Sequence, residues 1–211
     1  SEFVAMVSHE FKTPLQIIDS TREVIARKFK SLSSDSSFIE KFLDKIKHSI
    51  ARLNDLIEGN LNLAKIETSK NSIKVNKEIF SLKGLISSIV ERNYNLAAKK
   101  NIAIKFNLNH NDSYYNLNAD KKLLDHCFTN IIANAIKYSS DNSEVKIDCL
   151  IKGDDVTITV QDHGIGISKD DLANIGNKFF RASNALIISG TGIGLYLAKS
   201  FIELHNGSME I

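Results

Sequence analysis

Two long apolar stripes at helical spacing constrain this chain more than any other feature. From Ser1 to about Leu32, Phe3, Val7, Phe11, Ile18, Ile25 and Leu32 recur at four- and seven-residue steps, with Val4, Met6, Ile17 and Val24 beside them. That is the period of an amphipathic helix. A polar break, Ser31-Leu32-Ser33-Ser34-Asp35-Ser36-Ser37, is rich in residues that cap helices. Phe38, Phe42, Ile46, Ile50, Leu53, Ile57, Leu61 and Ala64 then mark a second stripe. Two such helices joined by a short loop form an antiparallel hairpin, in which each helix covers only one side of the other. Pairing two hairpins about a two-fold axis closes a four-helix bundle and covers the rest. The pattern therefore predicts a homodimer built through residues 1–67.

Around Thr68 to Glu78 the apolar period is lost among Lys, Asn and Ser, which places a linker at 68–78 and a second domain at 79–211. Helical runs at Leu82 to Lys99 and Lys121 to Tyr138 alternate there with the strand-like Ile102 to Phe106. Glu144 to Ile151 and Val156 to Val160 read as a hairpin turning at Lys152-Gly153-Asp154-Asp155. Helices and strands mixed in this way predict an α/β sandwich, so the whole chain is α+β.

Composition narrows the functional classes. A net charge of +2 over 211 residues gives no field argument for nucleic acid or a membrane surface. Cys127 and Cys149 lack zinc or redox spacing and read as buried thiols in a reducing compartment. No apolar run is long enough to cross a bilayer. The expectation is a cytoplasmic domain, a membrane being reached only through further N-terminal parts.

The first stripe carries Ser8-His9-Glu10-Phe11-Lys12-Thr13-Pro14-Leu15. One helical turn separates His9 from Thr13, and Glu10 lies three residues before Thr13. An imidazole, a carboxylate and a hydroxyl thus share one exposed surface, suited to a histidine that accepts a phosphoryl group. The plainer alternative is a polar helix face kinked at Pro14.

In the run from Lys121 to Tyr138, Asn130, Asn134 and Lys137 share a face opposite Leu124, Phe128, Ile131 and Ala135. Amide oxygens are hard ligands for octahedral Mg²⁺, and Lys137 offsets phosphate charge; polar residues on a solvated face are the alternative. Asp162-His163-Gly164-Ile165-Gly166-Ile167 follows an alternating strand. An acceptor-only carboxylate there can bind an exocyclic amine such as that of adenine, and the glycines allow close backbone approach. Gly190-Thr191-Gly192-Ile193-Gly194-Leu195 then opens a helix running to Leu204, and amides at a helix N-terminus suit phosphate. Neither glycine cluster fits a dinucleotide fingerprint or a P-loop.

In this order the motifs resemble the catalytic core of a bacterial sensor histidine kinase. His9 to Leu15 resembles the HisKA-type phospho-acceptor box, Asn130 to Ser139 the N box, and Lys178-Phe179-Phe180-Arg181 the F box between the two glycine boxes. The resemblance implies the ATP-binding fold shared with gyrase and a heat-shock chaperone. It implies ATP and Mg²⁺ as cofactors, phosphotransfer from His9 to a response regulator, and Glu10 as the partner of the second ring nitrogen. Asn130 and Asn134 would hold Mg²⁺ through ATP. Lys137, Tyr138, Asp162, Gly164, Gly166, Ile167, Phe180, Arg181, Gly190, Thr191, Gly192, Gly194 and Leu195 would line the nucleotide. Tyr138 would stack nearby or pack in the core. Thr13 would serve regulator dephosphorylation or simply pack.

Some residues depart from the family pattern. Lys12 replaces an arginine, Gly176-Asn177 replaces bulkier residues, and the lid at 182–189 is short and uncharged. The chain reads as an excised core whose last sheet strands are expected to be missing. Related ATPases carry a water-activating glutamate where Asn130 stands, so the resemblance favours a kinase over a plain ATPase. A scaffold with a decayed site is the third reading.

Overall fold

The computed structural model describes residues 14–25, 27, 43, 46, 49, 50, 53, 74–108, 116–153, 155–186, 188 and 190–211. By internal contacts the chain divides into two compact units, Ser1–Thr68 and Ser69–Ile211.

In the first unit every described residue is helical. Pro14, Thr21 and Ser49 are buried, whereas Leu15, Ile17, Val24, Leu43 and Ile50 are exposed. Arg22 pairs with Asp19 at 3.0 Å and Arg27 with Glu23 at 3.2 Å, one turn apart on the solvated side. His9, Glu10 and Thr13 lie outside the described residues.

The second unit runs β1 (Glu78–Ser81), α1 (Leu82–Lys99), β2 (Ala103–Leu108), β3 (Asn116–Ala119), α2 (Lys121–Tyr138), β4 (Glu144–Lys152), β5 (Asp155–Gln161), α3 (Lys169–Leu172), a 3₁₀ turn (Ser183–Ala185) and α4 (Gly194–Leu204). β2 pairs in parallel with β4, and β4 pairs antiparallel with β5. Val145, Ile147 and Cys149 alternate into the core from the central strand. α2 packs between α1 and α4. The core joins Leu82, Ile86 and Ile89 of α1 to Cys127, Ile132 and Ile136 of α2 and Phe201 of α4. This is the expected α/β sandwich.

Local chemistry sets the helix ends. Ser81 Oγ caps α1 by accepting from Gly84 N at 3.1 Å. Asp120 Oδ1 accepts from Lys122 N and Leu123 N, both at 3.1 Å, to start α2. At the end of α1, Asn101 takes a left-handed φ of 52°. Ile102 N then donates to Ala97 O and Asn101 N to Ala98 O, the double bond of a Schellman stop.

Sequence and structure differ in detail. β2 starts at Ala103 and runs to Leu108, beyond the expected 102–106. The hairpin strands reach Lys152 and restart at Asp155, tightening the expected turn around Gly153, whose φ is 60°. A two-stranded ribbon, β1 against β3, was not anticipated. Asn76 N donates to Asp120 Oδ2 at 2.9 Å, so the chain is tied into this unit ahead of β1.

Candidate active site

Helix α2 is the floor of the site, and its burial pattern decides what faces outward. Leu124, Cys127, Phe128, Ile132, Ala135 and Ile136 are buried, leaving Asn130, Asn134, Lys137 and Tyr138 half-buried. Asn130 Nδ2 donates to His126 O at 3.0 Å, which fixes the orientation of the amide. Its Oδ1 lies only 2.8 Å from where a side chain on Gly194 would begin. The glycine at the start of α4 thus allows that helix to approach the amide oxygen closely. Lys137 Nζ lies 3.3 Å from the Tyr138 hydroxyl and 4.8 Å from its ring centroid.

The first glycine turn is joined to the end of α2 through main chain. Ile165 N donates to Tyr138 O and Ser140 N to His163 O, each at 3.2 Å. A Cβ on Gly164 would stand 2.3 Å from the Tyr138 carbonyl oxygen, so the approach requires glycine. Asp162 Oδ1 accepts the Gly164 N–H at 2.9 Å, leaving the rest of an exposed carboxylate as an acceptor. His163 Nδ1 donates to Glu144 O at 3.0 Å and ties the turn to β4. Gly166 has φ 65°, and Ile167 is exposed beside it.

The second glycine turn is joined to the F-box segment. Phe179 N donates to Gly192 O at 3.0 Å. A Cβ on Gly192 would lie 2.7 Å from Phe179 C and 2.8 Å from Phe180 O. Both Phe179 and Gly192 adopt left-handed backbone, with φ of 66° and 69°. The sequence suggested a helix opening across Gly190–Leu195; α4 itself starts at Gly194, and Gly190–Gly192 form the preceding loop. Thr191 Oγ1 accepts from Ile193 N at 3.4 Å, and the helix has no side-chain cap. The first amides of α4 are therefore unoccupied by any cap. Leu195 is half-buried in that turn.

Lys137 and Arg181 converge at Gly190. An added Cβ there would meet Lys137 Nζ at 3.0 Å, the Tyr138 hydroxyl at 3.6 Å and Arg181 Nε at 3.9 Å. Arg181 Nη2 also donates to Ala185 O at 2.6 Å, to Leu186 O at 3.3 Å and to Ile188 O. Its buried Nε has no partner among the described residues. Phe180 is half-buried in the same segment.

Four further hydrogen bonds, not read from sequence, fold the lid over the first turn. Asp171 Oδ2 accepts from Ser183 N at 3.0 Å and from Ser183 Oγ at 2.9 Å. Asn184 Nδ2 donates to Gly166 O at 3.0 Å and to Ile165 O at 3.3 Å. The Ser183 backbone bond, aided by the Ser168 and Ser183 side chains, holds the Asp171 carboxyl below its ordinary range. Both cysteines are buried and free, and burial pushes the thiols up, to about 12 at Cys127 and about 11 at Cys149. They are inert packing residues.

Among the described residues no group of His, Cys, Asp and Glu could hold a metal ion. The oriented amide oxygen of Asn130, beside the uncapped start of α4, fits a cation that arrives with phosphates. No described helix is long and apolar enough to cross a membrane.

Fold and site together define a class: an α/β domain in which two glycine turns converge on the amide-bearing helix α2, preceded in sequence by a helical unit. Residues 119–211 match the Histidine kinase-, DNA gyrase B-, and HSP90-like ATPase family, and residues 1–69 match the His Kinase A (phospho-acceptor) domain. Sensor-like histidine kinase SenX3 of Mycolicibacterium smegmatis is 30% identical over 212 residues, covering 100% of this chain and 53% of its own length. Histidine kinase ThkA, crystallised with response regulator protein TrrA, superposes with a TM-score of 0.67 at 23% identity, over 98% of this chain and 55% of that one. Full-length ShkA in complex with AMPPNP gives 0.64 at 22% identity, over 96% and 40%. The chain belongs to the sensor histidine kinases and carries their catalytic core. It spans about half the length of SenX3.

Proposed function

We propose that the chain transfers the γ-phosphoryl group of ATP to His9 and from there to an aspartate of a response regulator. The observation that carries this reading is the convergence of both glycine turns on one helix. Gly164 lies against the Tyr138 carbonyl, Gly194 against the Asn130 amide, and Gly190 against Lys137. Asp162 then receives the adenine amine, with Gly166 and Ile167 beside the base. Lys137, Arg181 and the amides from Gly190 to Leu195 receive the phosphates. Asn130 and Asn134 are the residues to hold Mg²⁺, which when bound offsets charge on the phosphate oxygens.

His9 attacks the γ-phosphorus in line. The N–P bond forms as the bond to the β–γ bridging oxygen breaks, and ADP leaves with the electron pair. Glu10 accepts the proton-bearing side of the ring and makes the attacking nitrogen more basic. Asn130 cannot take a proton from water, so that position offers no base for plain hydrolysis. Exposed Ile17 and Val24 share one helical face and exposed Leu43 and Ile50 another, apolar surface suited to a second copy and supporting a homodimer. The TrrA-bound ThkA structure supports a receiver domain as the acceptor.

Incubation with γ-labelled ATP and Mg²⁺ should place acid-labile, base-stable phosphate on His9, with no label on a His9→Ala variant. Rapid ATP turnover by His9→Ala would favour an ATPase instead, and label elsewhere would reject His9 as the acceptor. Thr13→Ala should impair regulator dephosphorylation and spare autophosphorylation; equal loss of both would reject a dedicated role for Thr13.

A further inference from the structure

The last carbonyls of a helix have no partner within it, and they carry the negative end of its dipole. At the end of α2 this matters, because Tyr138 and Ser139 lie where the first glycine turn is attached. Ser139 N closes the last helical bond, to Ala135 O at 3.1 Å. The Tyr138 carbonyl accepts from Ile165 N. The remaining carbonyls all go to one side chain. Lys100 Nζ donates to Ile136 O at 3.3 Å, Lys137 O at 3.0 Å and Ser139 O at 2.5 Å. An ammonium has three donors, and each is aimed at one of these oxygens.

Lys100 is itself held from both sides. Its N–H closes the end of α1 on Ala97 O, and the Schellman stop at Asn101 fixes the backbone that follows. Its carbonyl accepts from Asn142 N at 2.8 Å, and Asn101 Nδ2 donates to Asn142 Oδ1 at 2.8 Å. The end of α1, the end of α2 and the loop before β4 are thus bolted together at one residue. The Asp162–Gly164 turn hangs from that bolt through Tyr138 and Ser140.

We propose that Lys100 is a positioning residue of the nucleotide site: its ammonium fixes the end of α2 so that Asp162 and Gly164 are held in register to receive the base. The proposal rests on the nucleotide reading given above. It predicts a defect confined to the base end of the ligand. A residue that only stabilised the fold would weaken every part equally, or none.

The experiment measures AMP and inorganic tripolyphosphate binding by calorimetry in the full chain and in Lys100→Met, Lys100→Arg and Arg92→Met. Arg92 is the comparison because it also joins α1 to α2, through Asp125 at 2.6 Å and Thr129 at 3.3 Å, away from the turn. Lys100→Met should lose about tenfold in AMP affinity, the effect of removing charged hydrogen bonds, and keep its tripolyphosphate affinity. Lys100→Arg should recover to within about threefold, since a guanidinium supplies several donors. Arg92→Met should bind AMP like the unmodified chain. Amide exchange without nucleotide should quicken at Ile165 and Ser140 in Lys100→Met while Ile147 in the central strand stays protected. AMP affinity unchanged in Lys100→Met overturns the positioning role alone. Equal losses for AMP and tripolyphosphate overturn it in favour of general stabilisation. If the unmodified chain binds no nucleotide, the kinase reading and the positioning role fall together.

Discussion

The two glycine turns differ in what holds them. The turn at Gly164 is joined to α2 by main-chain bonds and to β4 by His163. The Gly190–Gly194 turn has one main-chain bond to Phe179, and the lid before it is held by the side chains of Arg181, Asp171 and Asn184. Main-chain bonds between elements persist as long as the elements do, whereas side-chain latches can open one by one. The first turn is therefore fixed and the second adjustable; on the nucleotide reading proposed above, these are the base end and the phosphate end of the site. That division suits a reaction in which the base stays in place while the terminal phosphate must become accessible to an imidazole.

The contrast can be broken most sharply at Gly164. Gly164→Ala forces a Cβ to within 2.3 Å of a backbone carbonyl that has nowhere to move. It should cost about 3 kcal/mol or more in stability, read by denaturant unfolding, and about a hundredfold in AMP affinity. Full AMP binding in this variant would show that the first turn is not the base receptor. Gly192→Ala meets Phe179 and Phe180 main chain at 2.7–2.8 Å. About a tenfold loss is expected for ATP, with AMP spared, because only the adjustable end shifts. Loss of both ligands together would erase the distinction between the two ends.

Asp171→Ala should change ATP affinity by no more than about fivefold, since the latch is exposed and the other lid contacts remain. The same carboxylate gives the lid a pH dependence with a definite sign. Its folded-state pKa is lowered, chiefly by the Ser183 backbone bond. The latch is at full strength above the unfolded value of about 3.9 and is lost as pH falls through the lower folded value. The Ser183 amide resonance should titrate with a midpoint below about 3.9; a midpoint at or above it would mean that the bond is not formed in solution. Gly153→Ala is the smallest change. Nothing lies within 4 Å of its added Cβ, and φ is 60°, so only about 1–2 kcal/mol of left-handed strain is expected, with nucleotide binding intact.

The parts legible in sequence were those whose signals are local. α1 and α2 fall on the expected residues because apolar period, Ser81 and Asp120 caps and the Asn101 stop all act within a turn or two. The face of α2 with Asn130, Asn134 and Lys137 was legible for the same reason. β1 and β3 were not: each has four residues, and their pairing joins Glu78 to Ala119 across the whole of α1 and β2. Lys100 was illegible for a different reason. Its partners are backbone carbonyls in residues 136–139, and no side-chain type announces an unsatisfied carbonyl. Arg181 stood out as a nucleotide residue in the F box, and its Nη2 bonds to the lid carbonyls follow only from the fold of the 3₁₀ turn.

The most direct measurement is an amide-resonance titration of the full chain with Mg²⁺ and AMPPNP. The largest shifts should fall on Gly164, on Gly190 to Leu195 and on the side-chain amides of Asn130 and Asn134. Shifts that spare those groups and gather on the Asn107, Asp148, Thr157 and Thr159 side of the sheet would contradict the account.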